Sequence, residues 1–456
     1  MLTFWDHDHR LRRRDFLKVG GFGLAGLASS SLAGIEEKAA LTGKSVIFLF
    51  LHGGPSQVET FDPKPESPKE FRGPLGTVQT KLPGVLFGSP FPKLANHADK
   101  LTIVRSYVPG DANHDIKPVV CRATGGANIG SLYAAVAGIS HPEKAIPRNA
   151  LLFPRAVDPE AQAGISTFGR FDATGPFSAS LSPVQPGAGN GMMENLKIKL
   201  PREQLDDRLG LLKTLDNVRW AIDDQLRAET SDKSRELALL ALMGGLADAL
   251  DLSREDPKTI SRYDTAPLFD VSKIDKKWKN YKNYTDNAKT MGKLLCLARR
   301  MCERGAGFVT VTTNFVWDMH ADVNNATIEE GMGYMAPSLD HAVSAFLEDV
   351  QSRGLSDKIL LVVCGEMGRT PKINGKGGRD HWGNLGPLIL AGGGYPMGQV
   401  IGKSRYDASS PSSEPVTQGM VISTVLQTLM DYPKLRLQAD IAREVINAGS
   451  HANIFG

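Results

Sequence analysis

Residues 46–51 read Val-Ile-Phe-Leu-Phe-Leu, six apolar side chains in a row with no polar alternation. A strand of that kind must be covered on both faces, which is the situation of a strand inside a parallel sheet. Comparable runs recur at 101–104, 308–312, 359–363 and 388–391, spread over most of the chain. Between them lie long stretches with apolar residues near a 3.6 period: Leu205, Leu209, Leu212, Leu215, Ile222 and Leu226, then parts of 235–252, 286–303 and 336–352. Strands separated by helices of this length imply crossovers. The expected class is therefore α/β, a mostly parallel central sheet with helices on both faces. With 41% hydrophobic and 23% charged residues there is enough apolar surface to offset chain entropy, so wholesale disorder is excluded. Residues 34–456 read as a single domain, with 200–304 as an inserted helical layer. Residues 136–200 are rich in Gly, Pro and Ser without periodicity, and fit either short strands or a lip beside a functional site.

The first 33 residues read as an address instead of a fold element. Arg12, Arg13 and Arg14 precede Asp15-Phe16-Leu17-Lys18, and a Gly- and Ala-rich apolar run leads to Ser31-Leu32-Ala33. This resembles a twin-arginine (Tat) export signal, with Arg12 where Ser or Thr is usual. The resemblance implies passage through the Tat translocase and a periplasmic or cell-envelope location. The rest of the chain holds 48 basic against 47 acidic residues, a net charge of +1. That balance argues against a nucleic-acid binder, and no ~20-residue apolar span appears beyond the N-terminus. The run 276–284, Lys-Lys-Trp-Lys-Asn-Tyr-Lys-Asn-Tyr, alternates bases with aromatics as polyanion-binding segments do. A solvated face with snorkelling lysines explains it more simply. Cys121, Cys296, Cys302 and Cys364 are too few and too irregular for a disulfide framework or a thiolate zinc site.

Open parallel sheets gather ligands at the carboxyl ends of their strands, so the chemistry is sought just past each run. After the first comes His52-Gly53-Gly54-Pro55-Ser56, where two glycines let backbone N–H groups approach an anion. After 308–312 come Asp318 and His320. After 359–363 comes Gly365-Glu366-Met367-Gly368-Arg369, and Arg379-Asp380-His381-Trp382 precedes the run at 388. His114 and Asp115 sit in a further polar loop. Imidazole with carboxylate is a ligand set for zinc, manganese or iron. One His–Asp pair is usually an ordinary hydrogen bond, whereas several at one sheet edge are hard to explain as packing. The alternative is a buried polar network that fixes the loops.

Taken together, the twin-arginine start, Leu51-His52-Gly53-Gly54-Pro55-Ser56-Gln57, Trp317-Asp318-Met319-His320, Gly365-Glu366-Met367-Gly368-Arg369-Thr370-Pro371 and Arg379-Asp380-His381-Trp382 resemble the alkaline phosphatase and sulfatase superfamily. More narrowly they resemble its Tat-exported bacterial branch, domain of unknown function 1501. The resemblance implies hydrolysis of phosphate or sulfate esters at one or two metals. It carries over incompletely. His52 stands where the superfamily has a ligand Asp. Asp318 matches a ligand Asp, but four residues on is Asp322, and the imidazole is His320. Met367 stands where an imidazole is usual, and His381 matches a final His. Ten residues before Gly125 of Thr124-Gly125, where sulfatases carry Cys or Ser, stands Asp115.

The expected metal ligands are accordingly His52, Asp318, His320, Glu366 and His381, gathered in one cluster. They would hold a single divalent ion, zinc before manganese or calcium. His114, Asp115 and Arg369 are the expected catalytic groups, and Gly53, Gly54 and Ser56 the substrate-binding ones. The partner would be a small or polymeric anionic ester. A descendant that only binds an anionic glycan or partner is the competing expectation. A serine esterase would need a Gly-x-Ser-x-Gly elbow, and no serine here has glycines two before and two after.

Overall fold

The computed structural model describes residues 40–187 and 246–456. The N-terminal address and the helical periodicity of 205–226 lie outside these residues. Seven strands form the central sheet: β1 (Ser45–Phe50), β2 (Thr102–Val104), β3 (Asn149–Leu152), β4 (Phe308–Thr312), β5 (Ile359–Cys364), β6 (Leu388–Gly392) and β7 (Gln399–Ile401). Their spatial order is β7-β2-β6-β5-β1-β4-β3. Six run in one direction, and β6 is antiparallel to both its neighbours. This is the mixed α/β architecture expected from the apolar runs.

All six residues of β1 are buried, and their alternation assigns them to two cores. Ile47 and Leu49 join Val309, Val311, Leu361 and Val363 on one face. Val46, Phe48 and Phe50 join Phe308, Leu360 and Val362 on the other. The first face is covered by α2 (Tyr281–Glu303) and α3 (Ile328–Ser352), the second by α1 (Ile129–Ala137) and α4 (Gln418–Leu429). Local chemistry sets the starts of these helices. Asn128 caps α1 and Thr417 caps α4, while Thr327 caps α3 and also bonds the Glu330 side chain. Met291, Leu294, Leu295, Ala298 and Met301 of α2 pack into the same core as β1 and β4. This part of the expected inserted layer therefore belongs to the sheet's own covering. Trp278 and Tyr284 are buried there too, and Lys277 lies 4.5 Å over the Trp278 ring while pairing with Asp275 and Glu330. The basic–aromatic run thus faces inward with its rings. All four cysteines are free, and no helix among the described residues is long and apolar enough to cross a membrane.

One cross-strand row defines the edge where the loops emerge. Thr312, Phe50, Cys364, Leu388 and Val104 are successive neighbours across β4, β1, β5, β6 and β2. Because β6 runs backwards, the segment that precedes it, carrying His381, arrives at the same edge as the segments that follow the parallel strands. No helix lies between β5 and β6, so no crossover was available and antiparallel pairing follows. The Gly- and Pro-rich stretch contributes β3, a short outer strand.

Candidate metal centre

The loop leaving β1 and the loop leaving β4 lie backbone against backbone. The His52 carbonyl accepts from the N–H groups of Val316 and Trp317, both at 3.0 Å. Gly53 has φ of +109°, and a Cβ there would lie 2.5 Å from the Asp318 nitrogen. Only glycine lets the next loop close to this distance, so Gly53 helps place Asp318.

Asp318 is the hub. Its Oδ2 accepts from His320 Nε2 and Asn325 Nδ2, each at 2.9 Å. Its Oδ1 lies 2.6 Å from Arg369 Nη2, 3.2 Å from His381 Nε2 and 3.5 Å from His114 Nε2. Burial opposes ionisation of this carboxyl, yet Arg369 first, then the three imidazoles, hold it well below the usual carboxylate range. The His320 imidazole is raised in turn by its bond to Asp318. His381 faces Arg369 across a two-residue antiparallel bridge, Gly368–Arg369 with His381–Trp382, which fixes its direction. Trp382 anchors that bridge by donating to the Ser409 carbonyl at 2.7 Å.

His114 comes from the loop beyond β2. Its Nδ1 lies 3.0 Å from Glu366 Oε1, while its buried Nε2 has no hydrogen-bond partner. Burial opposes protonation of this ring too, but Asp318 and Glu366 carry its pKa above the ordinary value. His114, Asp318 and His381 offer donor atoms that all lie within 4.8 Å of one another. Around a divalent ion held at about 2.0–2.1 Å by N and O donors, tetrahedral neighbours lie roughly 3.3–3.4 Å apart. The separations from Asp318 Oδ1, 3.2 Å to His381 and 3.5 Å to His114, bracket that value. The donor set therefore fits a divalent cation.

His52 stands close by in an aromatic box. Phe50, Phe168, Phe171 and Phe315 surround its ring at centroid distances of 5.1–5.9 Å. Burial pushes its pKa down to about 4, so it is a neutral imidazole at pH 7. Both its nitrogens are buried without a partner. It has the chemistry of a ligand but does not join the donor set of His114, Asp318 and His381.

The other expected site residues are placed as follows. Glu366 is fully buried and accepts the Gly53 N–H at 2.9 and 3.2 Å. That N–H is therefore spent inside the protein, and the Gly54 N–H goes to the Leu51 carbonyl. Arg369, also fully buried, donates to the Gly53 and Gly54 carbonyls and holds Asp318, which leaves it no path to a substrate oxygen. Ser56 is buried, and its hydroxyl accepts from the Val58 N–H within the turn. Asp115 turns away from the imidazoles to bond Lys117 Nζ at 2.8 Å. Asp322 caps the turn that presents Asn325. Met367 is buried against Gly54. Sequence reasoning passed over Asn325, Lys117 and the stacked pair Phe168–Phe315, whose rings clasp His114 at 5.1 and 4.6 Å. None of these carries a signal beyond its place in the fold.

The geometry can now be set beside other proteins. No curated protein matches this chain by sequence. Among solved structures it is similar to the sulfatase PsFucS1 from Pseudoalteromonas sp., with 11% identity over 92% of this chain and 72% of that one, at a TM-score of 0.33. It is similar to alkaline phosphatase from the Antarctic bacterium TAB5, with 12% identity over 79% of this chain and 94% of that one, at 0.29. It is also similar to the lipoteichoic acid synthase LtaP from Listeria monocytogenes, with 8% identity over 95% and 81%, at 0.29. Likeness this remote carries no residue role across. A family model does match most of the chain, residues 43–439, under the description "Protein of unknown function (DUF1501)", and the chain belongs to that family.

Proposed function

We propose that this protein is an exported, metal-dependent hydrolase of phosphate or sulfate esters that works in the cell envelope. The observation that carries the reading is the convergence of His114, Asp318 and His381, from three separate loops, with donor spacing suited to one ion. Those three residues would hold the ion, and zinc suits the nitrogen and oxygen donors best. A bound ion would supply Lewis acidity toward an ester oxygen and toward water. The chain's own groups do the rest. Asp318, kept ionised by Arg369, contributes the negative charge. Phe168 and Phe315 pack against the His114 ring and wall that side of the centre. His320, partly exposed and with its pKa raised by its bond to Asp318, is placed to give a proton to a departing oxygen. Export is supported by the twin-arginine resemblance of residues 12–18.

The test combines metal content with turnover of an aryl phosphate and an aryl sulfate. One equivalent of divalent ion, with hydrolysis of one ester that is lost on chelation, is the expected result. A second reading is favoured by a specific observation: the carboxylate at the sulfatase nucleophile position is taken by Lys117, and Arg369 and the Gly53 N–H are both engaged internally. In that reading the same centre binds an anionic glycan or partner without turnover. Saturable, metal-dependent binding of a sulfated or phosphorylated oligosaccharide with neither ester cleaved would favour it.

A further inference from the structure

His114 carries two different environments on one ring. Nδ1 faces Glu366 Oε1 at 3.0 Å, and Nε2 faces Asp318 Oδ1 at 3.5 Å with no hydrogen-bond partner. Glu366 is fully buried, and both its oxygens already accept from the Gly53 N–H, at 2.9 and 3.2 Å. A carboxylate in that position only accepts, so the shared proton belongs to His114 Nδ1. In the neutral form that can bind an ion, the lone pair is on Nε2, the atom that faces Asp318 Oδ1. Without an ion the ring can take a second proton on Nε2 and pair with Asp318; with an ion bound, that proton is displaced and the Nε2 lone pair faces the ion while Nδ1–H stays on Glu366.

We infer that Glu366 is not a metal ligand but the positioning residue of the centre: its carboxylate fixes the Nδ1–H tautomer of His114 and so presents Nε2 to the ion. This rests on the metal-centre reading proposed above and assigns Glu366 a role different from the ligand role expected from sequence. The arrangement has a general physical basis. A hydrogen bond from the far ring nitrogen to a carboxylate orients a ligating imidazole and raises its basicity, and losing such a partner typically costs about 10–100-fold in metal affinity. The Gly53 N–H makes Glu366 rigid in turn, which gives that glycine a function besides its close approach to Asp318. The ring is held from other sides as well. Phe315 meets it edge-on at 4.6 Å, and Lys117 Nζ draws together Asp111 Oδ1, Asp115 Oδ1 and the Asn113 carbonyl on the two sides of residue 114.

The test uses Glu366→Gln in the full chain, with Co2+ as a spectroscopic probe and Zn2+ for nuclear magnetic resonance. The glutamine keeps the shape but not the charge. Expected are a roughly 10–100-fold weaker Co2+ affinity, an unchanged Co2+ coordination number at saturation, and thermal stability in chelator close to that of the unsubstituted protein. The zinc-loaded unsubstituted protein should show a downfield ring N–H assigned to His114 Nδ1, and this signal should move or broaden in Glu366→Gln. Glu366→Ala serves as the larger truncation and should bind no better than Glu366→Gln. Unchanged affinity in Glu366→Gln would overturn the inference while leaving the metal centre standing. A Co2+ spectrum showing one ligand fewer in Glu366→Gln would also overturn it, by making Glu366 a ligand. Failure of the unsubstituted protein to bind either ion would remove the metal-centre reading itself, and this inference with it.

Discussion

At the scale of single residues, the proposed centre divides into side chains that would face an ion and side chains that only hold those that do. His381 is the most exposed member of the donor set, so its truncation disturbs the core least. His381→Ala should lower ion affinity by more than the ~10–100-fold typical of losing an outer partner and should remove any esterase activity, with the fold intact by circular dichroism. Retained metal in that variant would contradict its ligand role. Ser56 is the opposite case. Its hydroxyl accepts one turn N–H, so Ser56→Ala should cost only about 0.5–1.5 kcal/mol of stability and leave metal content unchanged. A metal-loaded but inactive Ser56→Ala would make the serine a nucleophile instead. His52, Asp318, His320, Glu366 and His381 were legible in sequence because each abuts an apolar strand run, and such runs mark one edge of a parallel sheet. The division of labour among them was not legible. It depends on which ring nitrogen meets which oxygen, a matter of tenths of an ångström between loops hundreds of residues apart.

At the scale of elements, buried charges tie the loops to one another. Arg379 and Glu59, both fully enclosed, meet at 2.9 and 3.1 Å and join the segment before β6 to the one after β1. Glu59→Gln should therefore destabilise the protein by about 3–5 kcal/mol, the cost of leaving a buried cation unpaired, as measured by denaturant unfolding. Near the carboxyl ends of α2 and α3, Glu255 binds Arg299, Arg300 and Arg353 at 2.7–3.0 Å. Burial opposes its ionisation, but Arg300 and Arg299 pull its pKa down to about 2 from an ordinary 4.5. A depressed carboxylate contributes stability above its unfolded pKa and loses it as pH falls through the folded one. Stability should thus decline between about pH 4.5 and 2, and Glu255→Gln should flatten that decline in acid-unfolding curves. An unchanged acid slope would show that the pair contributes nothing. The same scale shows what sequence reasoning could not reach. The runs at 308–312 and 359–363 matched β4 and β5 because buried central strands are continuous and apolar. β3 and β7 escaped notice because they are three or four residues long, at the outer edges of the sheet. The reversal of β6 was hidden as well, since direction depends on the connection and not on the strand's own residues.

At the scale of the whole molecule, one topological fact does most of the work. Because β6 opposes its neighbours, the segments that follow β1, β2 and β4 and the single connection from β5 to β6 all open onto one row of the sheet. His52, His114, and Asp318 with His320 each come from a different one of those segments, and Glu366 and His381 share the β5–β6 connection. No local stretch of the chain contains the centre, so the complete donor set exists only in the folded chain. That requirement is compatible with the proposed export route, which carries folded proteins. Replacing Arg13 and Arg14 by Lys should accordingly leave the protein in the cytoplasm, and normal export of that variant would sink the proposal. The central claim, that this edge is built around a divalent ion and is not merely a polar network, is tested most directly by elemental analysis of the protein purified from its native source without chelator. The account predicts close to one equivalent of a divalent ion per chain, zinc before others, falling to background in His381→Ala. Folded protein from the same source with no ion above background would contradict it.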